Sequence, residues 1–222
     1  MCGRIIVEPR LVDLIAALLI DAADVPPDAA PPKLNIAPTE PVLVVTIDSA
    51  LRRLRAMRWG LVPTWWREAR PPANTFNARA EGLTDAPTFR PSLADRRCVV
   101  VASGFYEWTG DRKDRRPLLI RRSDQRPLLF AGLWSDGGGL GPSATIITTA
   151  AAPSVTGVHD RMPAILDDPD VWLTAPVERA LTELRPWPGA LTLTPVGQAV
   201  GNARDKSGSW LAPPAQRSLL DG

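Results

Sequence analysis

Short apolar runs set apart by turn residues, the absence of a strand-helix-strand rhythm and the scarcity of long helical faces predict an α+β fold. The expected architecture is a single domain on a largely antiparallel, barrel-like β-sheet, with a few short flanking helices. At 222 residues the chain can bury roughly 70% of its unfolded surface in one core, so it needs no staples. About eight strands and three or four helices are expected, and no internal repeat divides the chain. The domain is expected to span 1–211, with a frayed Pro-rich tail from Ala212 to Gly222.

The elements follow in order. The segment Cys2-Gly3-Arg4-Ile5-Ile6-Val7 can enter a sheet. Pro9 sits where a helix starts, and Leu11, Leu14, Ile15, Leu18 and Leu19 share one helical face that ends near Ala22 to Val25. Four prolines between Pro26 and Pro32 exclude regular structure and make a loop that feeds Asn35-Ile36-Ala37-Pro38-Thr39. Val42 to Ile47 and Leu51 to Trp59 read as a hairpin turning at Asp48-Ser49-Ala50. The stretch Trp59-Gly60-Leu61-Val62-Pro63-Thr64-Trp65-Trp66 is too rich in Gly, Pro and Trp for a plain element. Neighbours on a strand face opposite ways, so Trp65 and Trp66 cannot both enter one core.

Asn74 to Glu81 follows a polar loop, and Thr84 to Leu93 holds a short helix. Cys98 to Ala102 is a continuous apolar run typical of a buried strand, which makes Cys98 inert core. It continues into Ser103-Gly104-Phe105-Tyr106-Glu107-Trp108. A charged turn from Gly110 to Arg116 precedes strands at Pro117 to Arg121 and Pro127 to Trp134, and Gly137 to Gly141 is a hairpin tip. A strand at Ala144 to Ala150, a small-residue loop, helices at Asp170 to Thr174 and Pro176 to Leu184, and a last strand at Leu191 to Val196 complete the chain.

The bulk balance of 45% apolar residues, 23% charged residues and a net charge of +2 is that of a soluble globular protein and by itself implies no polyanionic partner. Lys33, Lys113 and Lys206 are the only lysines among the basic residues, a bias that coding composition explains as readily as a phosphate-binding surface. Cys2 and Cys98 make no disulfide framework, and with one histidine they cannot build a standard structural zinc site. A reducing, cytoplasmic setting with no metal and no cofactor is expected. The apolar run Leu14 to Ile20 is bracketed by Asp13 and Asp21 and reads as a helix rather than a signal peptide, and no stretch approaches a membrane span.

Chemistry concentrates at the start. Initiator methionine is normally trimmed before a small residue, so Cys2 is expected to become the first residue, with a thiol and a free α-amine on one skeleton. Their ordinary pKa values, about 8.5 and about 7.7 to 8.0, leave both partly available near neutrality. An amine condenses with a carbonyl to an imine, and a thiol two bonds away can close on it to a five-membered thiazolidine. Cys2 is thus a ready aldehyde trap, or a cysteine placed there by chance. Glu107, between Tyr106 and Trp108, is either a desolvated carboxylate suited to proton transfer or a strand-end Glu reaching water. His159, flanked by Asp160 and Arg161, is a proton shuttle or a surface histidine. Asn77 can orient a nucleophile, and Arg79 can fork onto phosphate. Trp65 and Trp66 offer stacking platforms for unpaired bases or pack in the core.

Taken together, Met-Cys-Gly-Arg at the start, Asn35-x-Ala-Pro38, Trp59-Gly60-Leu61-x-Pro63 with Trp65-Trp66, Asn77-Ala-Arg79-x-Glu81, Gly104-Phe-Tyr-Glu107-Trp108, His159-Asp-Arg161-Met-Pro163 and Pro195-Val-x-x-Ala-Val-Gly-Asn202 occur in one order. That order resembles the SOS-response-associated peptidase (SRAP) family over roughly residues 2 to 205. The resemblance implies the SRAP fold and a sensor of abasic sites in single-stranded DNA. Its exposed N-terminal cysteine would form a covalent thiazolidine crosslink with the ring-opened sugar. It further implies Cys2 as nucleophile, Asn77 positioning it, Glu107 moving protons and His159 assisting sugar ring opening. Gly3, Arg4, Arg79 and Arg161 would lie along the DNA, with Arg4, Arg79 and Arg161 holding phosphates. Pro38, Trp65 and Trp66 would wedge or stack at the lesion. The peptidase label implies self-removal of Met1. A monomer without membrane association is expected, acting at the nucleoid; recruiting partners at the replication fork are not legible. Two rival readings are an N-terminal-nucleophile amidohydrolase of the glutamine amidotransferase kind and a non-covalent single-stranded DNA-binding module.

Overall fold

The computed structural model describes residues 2–8, 33–49, 51–111 and 114–211. The expected helix from Pro9, the loop Pro26 to Pro32 and the tail from Ala212 lie outside the described residues. Among them are twelve strands, four more than expected. They are β1 (Ile5–Val7), β2 (Lys33–Ile36), β3 (Pro41–Asp48), β4 (Leu51–Trp59), β5 (Asn77–Arg79), β6 (Arg97–Ala102), β7 (Gly104–Thr109), β8 (Arg116–Arg122), β9 (Leu128–Ser135), β10 (Ser143–Ala150), β11 (Arg161–Pro163) and β12 (Leu191–Pro195). Three short α-helices accompany them: α1 (Arg90–Asp95), α2 (Pro169–Thr174) and α3 (Val177–Leu181). The expected single helix in Thr84 to Leu93 is displaced to α1. Of the four further strands, β2 follows the expected loop, β7 is a separate strand where a continuation of β6 is expected, and β5 and β11 are three-residue pieces with no usable alternation.

Two sheets carry the fold. In the larger, the pairings run β10-β4-β3-β6-β9 and return from β9 to β10, so five strands form a closed circuit, with β5 and β11 added along β10. Only the β10 pairings to β4 and β5 are parallel in this sheet; the rest are antiparallel. The apolar runs explain the closure. Val42 to Val45 and Cys98 to Ala102 are buried along their whole length, as expected of strands covered on both faces. One face lines the ring, and α2 covers part of the other, where the Trp172 indole N–H donates to the Cys98 carbonyl at 2.9 Å. Arg97 adds a clamp by donating to the carbonyls of Leu93, Trp172 and Ala175, which ties α1 and α2 to β6. Cys98 is fully buried core, as the sequence implies.

The smaller sheet has the order β12-β8-β7-β1-β2 and is antiparallel throughout. Alternation on its strands decides what faces where. On β1, Ile5 and Val7 join the main core while Ile6 joins a second cluster with Tyr106, Leu119, Val200 and Trp210. On β7, Phe105 enters the main core, meeting Phe130 of β9 edge-on at 6.1 Å, and Tyr106 turns outward to accept the Trp210 indole N–H at 3.0 Å. Glu107, two residues beyond Phe105, therefore faces the same way as Phe105, toward the larger sheet.

Closing a ring of five strands demands close backbone approach, and Gly132 of β9 marks the tightest place. A Cβ there would lie 2.8 Å from the Thr145 carbonyl and 3.1 Å from both Cys98 Sγ and Val100 Cγ2. Backbone cannot yield as a flexible side chain can, so Gly132→Ala is predicted to destabilise the protein by about 1 to 3 kcal/mol. Thermal denaturation checks this as a fall of about 2 to 4 °C for each kcal/mol in a domain of this size.

Candidate functional site

The site forms where the two sheets meet. Cys2 lies three residues before β1, and β1 is paired on both edges, with Ile5 opposite Ile36 on one side and Phe105 on the other. This double pairing delivers Cys2 into the main core with no exposed surface. With Met1 still ahead of it, the thiol lies inside, with Sγ 3.9 Å from the Arg4 carbonyl. From the opposite sheet, β5 brings Asn77 to it, and Asn77 Nδ2 donates to the Cys2 carbonyl at 2.6 Å. Asn77 Oδ1 is buried and has no hydrogen-bond partner.

Glu107 sits within β7 with 5% of its surface exposed, which rules out the strand-end carboxylate in water. Burial is the largest influence on its pKa and raises it; the chain's α-ammonium group and His159 act in the opposite direction. Burial likewise pushes the Cys2 thiol far above its ordinary value, and the Glu107 charge adds to the effect. The thiol is therefore not the partly ionised group that its reference value suggests. Both observations have one cause, since a low-dielectric pocket disfavours every charged form. Tyr106, outside this pocket, is pushed up to about 12, again mainly by burial.

His159 closes the loop between β10 and β11 and is partly exposed. Its Nδ1 lies 2.9 Å from the Arg161 amide nitrogen and 2.6 Å from an Asp160 carboxylate oxygen. A neutral ring accepts at Nδ1 from Arg161, whereas a protonated Nδ1 donates to Asp160, so the two contacts belong to different ring states. Arg161 itself is held by Glu81 through two bonds of 2.7 and 3.0 Å and by the Thr148 carbonyl at 2.5 Å.

The other sequence-predicted residues divide into engaged and open. Arg4 donates to Asn35 Oδ1 at 2.8 Å and to the Val200 carbonyl at 2.6 Å, and it packs over the Trp108 ring, so its guanidinium anchors the N-terminal segment. Gly3 beside it is partly exposed, and Arg79 points to solvent. Pro38 occupies the second position of a turn closed by the Glu40 amide on the Ala37 carbonyl. The third position is Thr39 at φ 83°, where a glycine is usual and a β-branched residue is strained. Trp65 is 48% exposed and tilts against Trp66, with ring centroids 5.9 Å apart. Trp66 donates its indole N–H to the Arg70 carbonyl, which fixes its plane.

Sequence reasoning gave no role to three supports of this site. Asn35 is fully buried, and besides accepting from Arg4 it donates to the carbonyls of Val200, Asn202 and Asp205. Its signal was a lone amide between Leu34 and Ile36. Glu81 stood in a quoted motif without a function. Gly138 packs onto the double-tryptophan loop so closely that a Cβ would lie 2.9 Å from the Trp66 carbonyl. No group of three or more potential metal ligands exists among the described residues.

Comparison with known proteins adds the family. The model of the SOS response associated peptidase (SRAP) family matches residues 1–203. The abasic site processing protein YoqW of Bacillus subtilis is 36% identical over 174 residues, covering 76% of this chain and 77% of that protein. YedK of Escherichia coli, with the same description, is 29% identical over 226 residues, covering 96% of this chain and all of that one. HMCES of Xenopus tropicalis is 34% identical over 197 residues, which covers 74% of this chain and 58% of that protein. A crystal structure of a Bacteroides thetaiotaomicron protein shares the fold, with a TM-score of 0.79 at 19% identity over 96% of this chain and all of that one. A Bordetella bronchiseptica protein has a TM-score of 0.73 at 26% identity over 88% of this chain and all of that one. With a family model spanning nearly its whole length, the chain belongs to the SOS response associated peptidase family.

Proposed function

We propose that this protein processes abasic sites in single-stranded DNA by forming a thiazolidine crosslink through Cys2 once Met1 has been removed. The observation that carries the reading is Asn77, which grips the Cys2 carbonyl while its own Oδ1 stays buried without a partner. A buried acceptor without a donor is costly, and a Cys2 α-amine freed by loss of Met1 supplies one from the residue already held. The names of the relatives, abasic site processing proteins, support the same substrate.

The chemistry suits the environment. The ring-opened sugar presents an aldehyde, the Cys2 amine adds to it, and the carbinolamine loses water to give an imine. The thiol sulfur then bonds to the imine carbon while its proton passes to the imine nitrogen, so one water leaves overall. A neutral thiol fits this second step, because its proton is consumed in it. Glu107, with its pKa raised, takes a proton from the ammonium and returns one to the departing hydroxyl. His159 assists opening of the sugar ring. Holding amine and aldehyde together makes a bimolecular condensation nearly unimolecular, and burial shields the product from water. Glu107 and His159 also serve the removal of Met1. Arg79, exposed, takes a phosphate directly, while Arg4 and Arg161 lend positive potential beside Gly3. Pro38, Trp65 and Trp66 form the edge against which bases stack.

Intact-mass measurement after incubation with single-stranded DNA bearing one abasic site tests this. A denaturation-resistant adduct, less one water, is predicted with the damaged strand and none with undamaged DNA or with Cys2→Ala. No adduct from protein whose Met1 is absent overturns the proposal, and glutaminase activity in its place favours the amidohydrolase.

Glu107→Gln is predicted to slow adduct formation by about 10² to 10⁴-fold and yet to raise the melting temperature at neutral pH. The sign follows from linkage: a carboxyl with a raised folded pKa binds more protons folded than unfolded, so stability falls as pH rises through that window. The variant lacks this loss. Its advantage over the native protein should disappear below about pH 4, where the carboxyl is protonated in both states. Calorimetry across pH checks it.

A further inference from the structure

We propose that Glu81 is a positioning residue for His159, acting through Arg161 to hold the imidazole in the tautomer with its proton on Nε2. The imidazole has two claimants at Nδ1, the Arg161 amide at 2.9 Å and the Asp160 carboxylate at 2.6 Å. Only one can be satisfied by a given ring state, so the better-fixed partner selects the tautomer.

The two claimants differ in how firmly they are held. The Asp160 side chain is 84% exposed, competes with water and gains little from a surface contact. The Arg161 amide belongs to the first residue of β11, which pairs with Ala150 of β10. Its side chain is 14% exposed and carries a forked bond to both oxygens of Glu81, itself 61% exposed, with two further bonds to the Thr148 carbonyl and hydroxyl that lie deeper. Forked guanidinium–carboxylate pairs combine strength with fixed geometry. Glu81 sits in the 3₁₀ turn Ala80–Gly82 immediately after β5, and β5 pairs with β10 at Arg79 and Thr148. One guanidinium therefore staples β5, β10 and β11 beside the histidine. The staple also leaves Arg161 Nε buried without a partner.

With Nδ1 accepting, Nε2–H is the donor, the state needed to give a proton to an oxygen. That consequence rests on the function proposed above; the tautomer itself does not. Among the described residues, Asp160, Arg161 and Glu107 are charged or titratable groups that act on the ring, and Glu81 is linked to it through Arg161.

His159 is the sole histidine, so its ring nitrogens can be read without assignment. The test is a long-range proton–nitrogen spectrum of the full chain labelled with ¹⁵N-histidine, at about pH 8.5, where an ordinary imidazole is neutral. In the native protein and in Asp160→Ala, Nε2 should appear protonated and Nδ1 bare. Glu81→Gln should give a mixture with at least about a fifth of the ring as Nδ1–H. Arg161→Lys, which keeps charge and amide but not the fork, should do the same and serves if Glu81→Gln does not fold. A native ring protonated at Nδ1, or a ratio unmoved in both variants, overturns the proposal. Loss of adduct formation by the native protein, with the tautomer as described, overturns the proposed function and leaves this inference standing.

Discussion

The two-sided pairing of β1 is the constraint on which the site depends. A short terminal segment ordinarily frays, but Ile5 is held between Ile36 and Phe105, and Ile6 pairs with Gly104. From there the alternation of β1 and β7 assigns every neighbouring side chain to one of two cores. Glu107 is buried beside Cys2 because Phe105 is buried, and Trp108 meets Arg4 on the other face because Tyr106 does not share the first. The larger sheet supplies the remaining wall through β5 and β10, whose register sets Asn77 opposite Ile146 and Arg79 opposite Thr148.

The pocket so made works against charge. A carboxyl and a thiol both shift toward their neutral forms in it, chiefly through loss of hydration. Such a setting destabilises the fold locally and favours chemistry in which protons move among neutral groups. Away from it, Gly138 at φ 54° seats against the carbonyls of Pro63, Thr64 and Trp66, on either side of Trp65. There the backbone is held in conformations that few residues tolerate, so the exposed Trp65 stands on a rigid base.

Much of this was legible from the chain alone. Hairpin β3–β4, the buried β6 and the β9–β10 hairpin announced themselves by apolar runs and turn residues, and the Cys2, Asn77, Glu107 and His159 constellation by ordered blocks. What escaped was set by tertiary context. The strands β5 and β11 are too short to show a period, and they exist because β10 offers its edge. The burial of Cys2 cannot be read from Met-Cys-Gly-Arg, since it follows from pairing with residues about 30 and 100 positions away. The bond of Arg161 to Glu81, 80 positions earlier, is likewise not legible in the sequence.

The anchoring of Arg4 has a consequence for how the molecule comes into being. Its partners include the carbonyls of Val200 and Gly201, 196 and 197 positions downstream, and Asn35 is tied to Asn202 and Asp205. A chain made from its N-terminus presents Cys2 first and these carbonyls nearly last. The reactive end is thus synthesised early and assembled late. The pairings of β1 with β2 and β7 can form once Phe105 has been made, whereas the clamp on Arg4 waits for Val200 and Gly201.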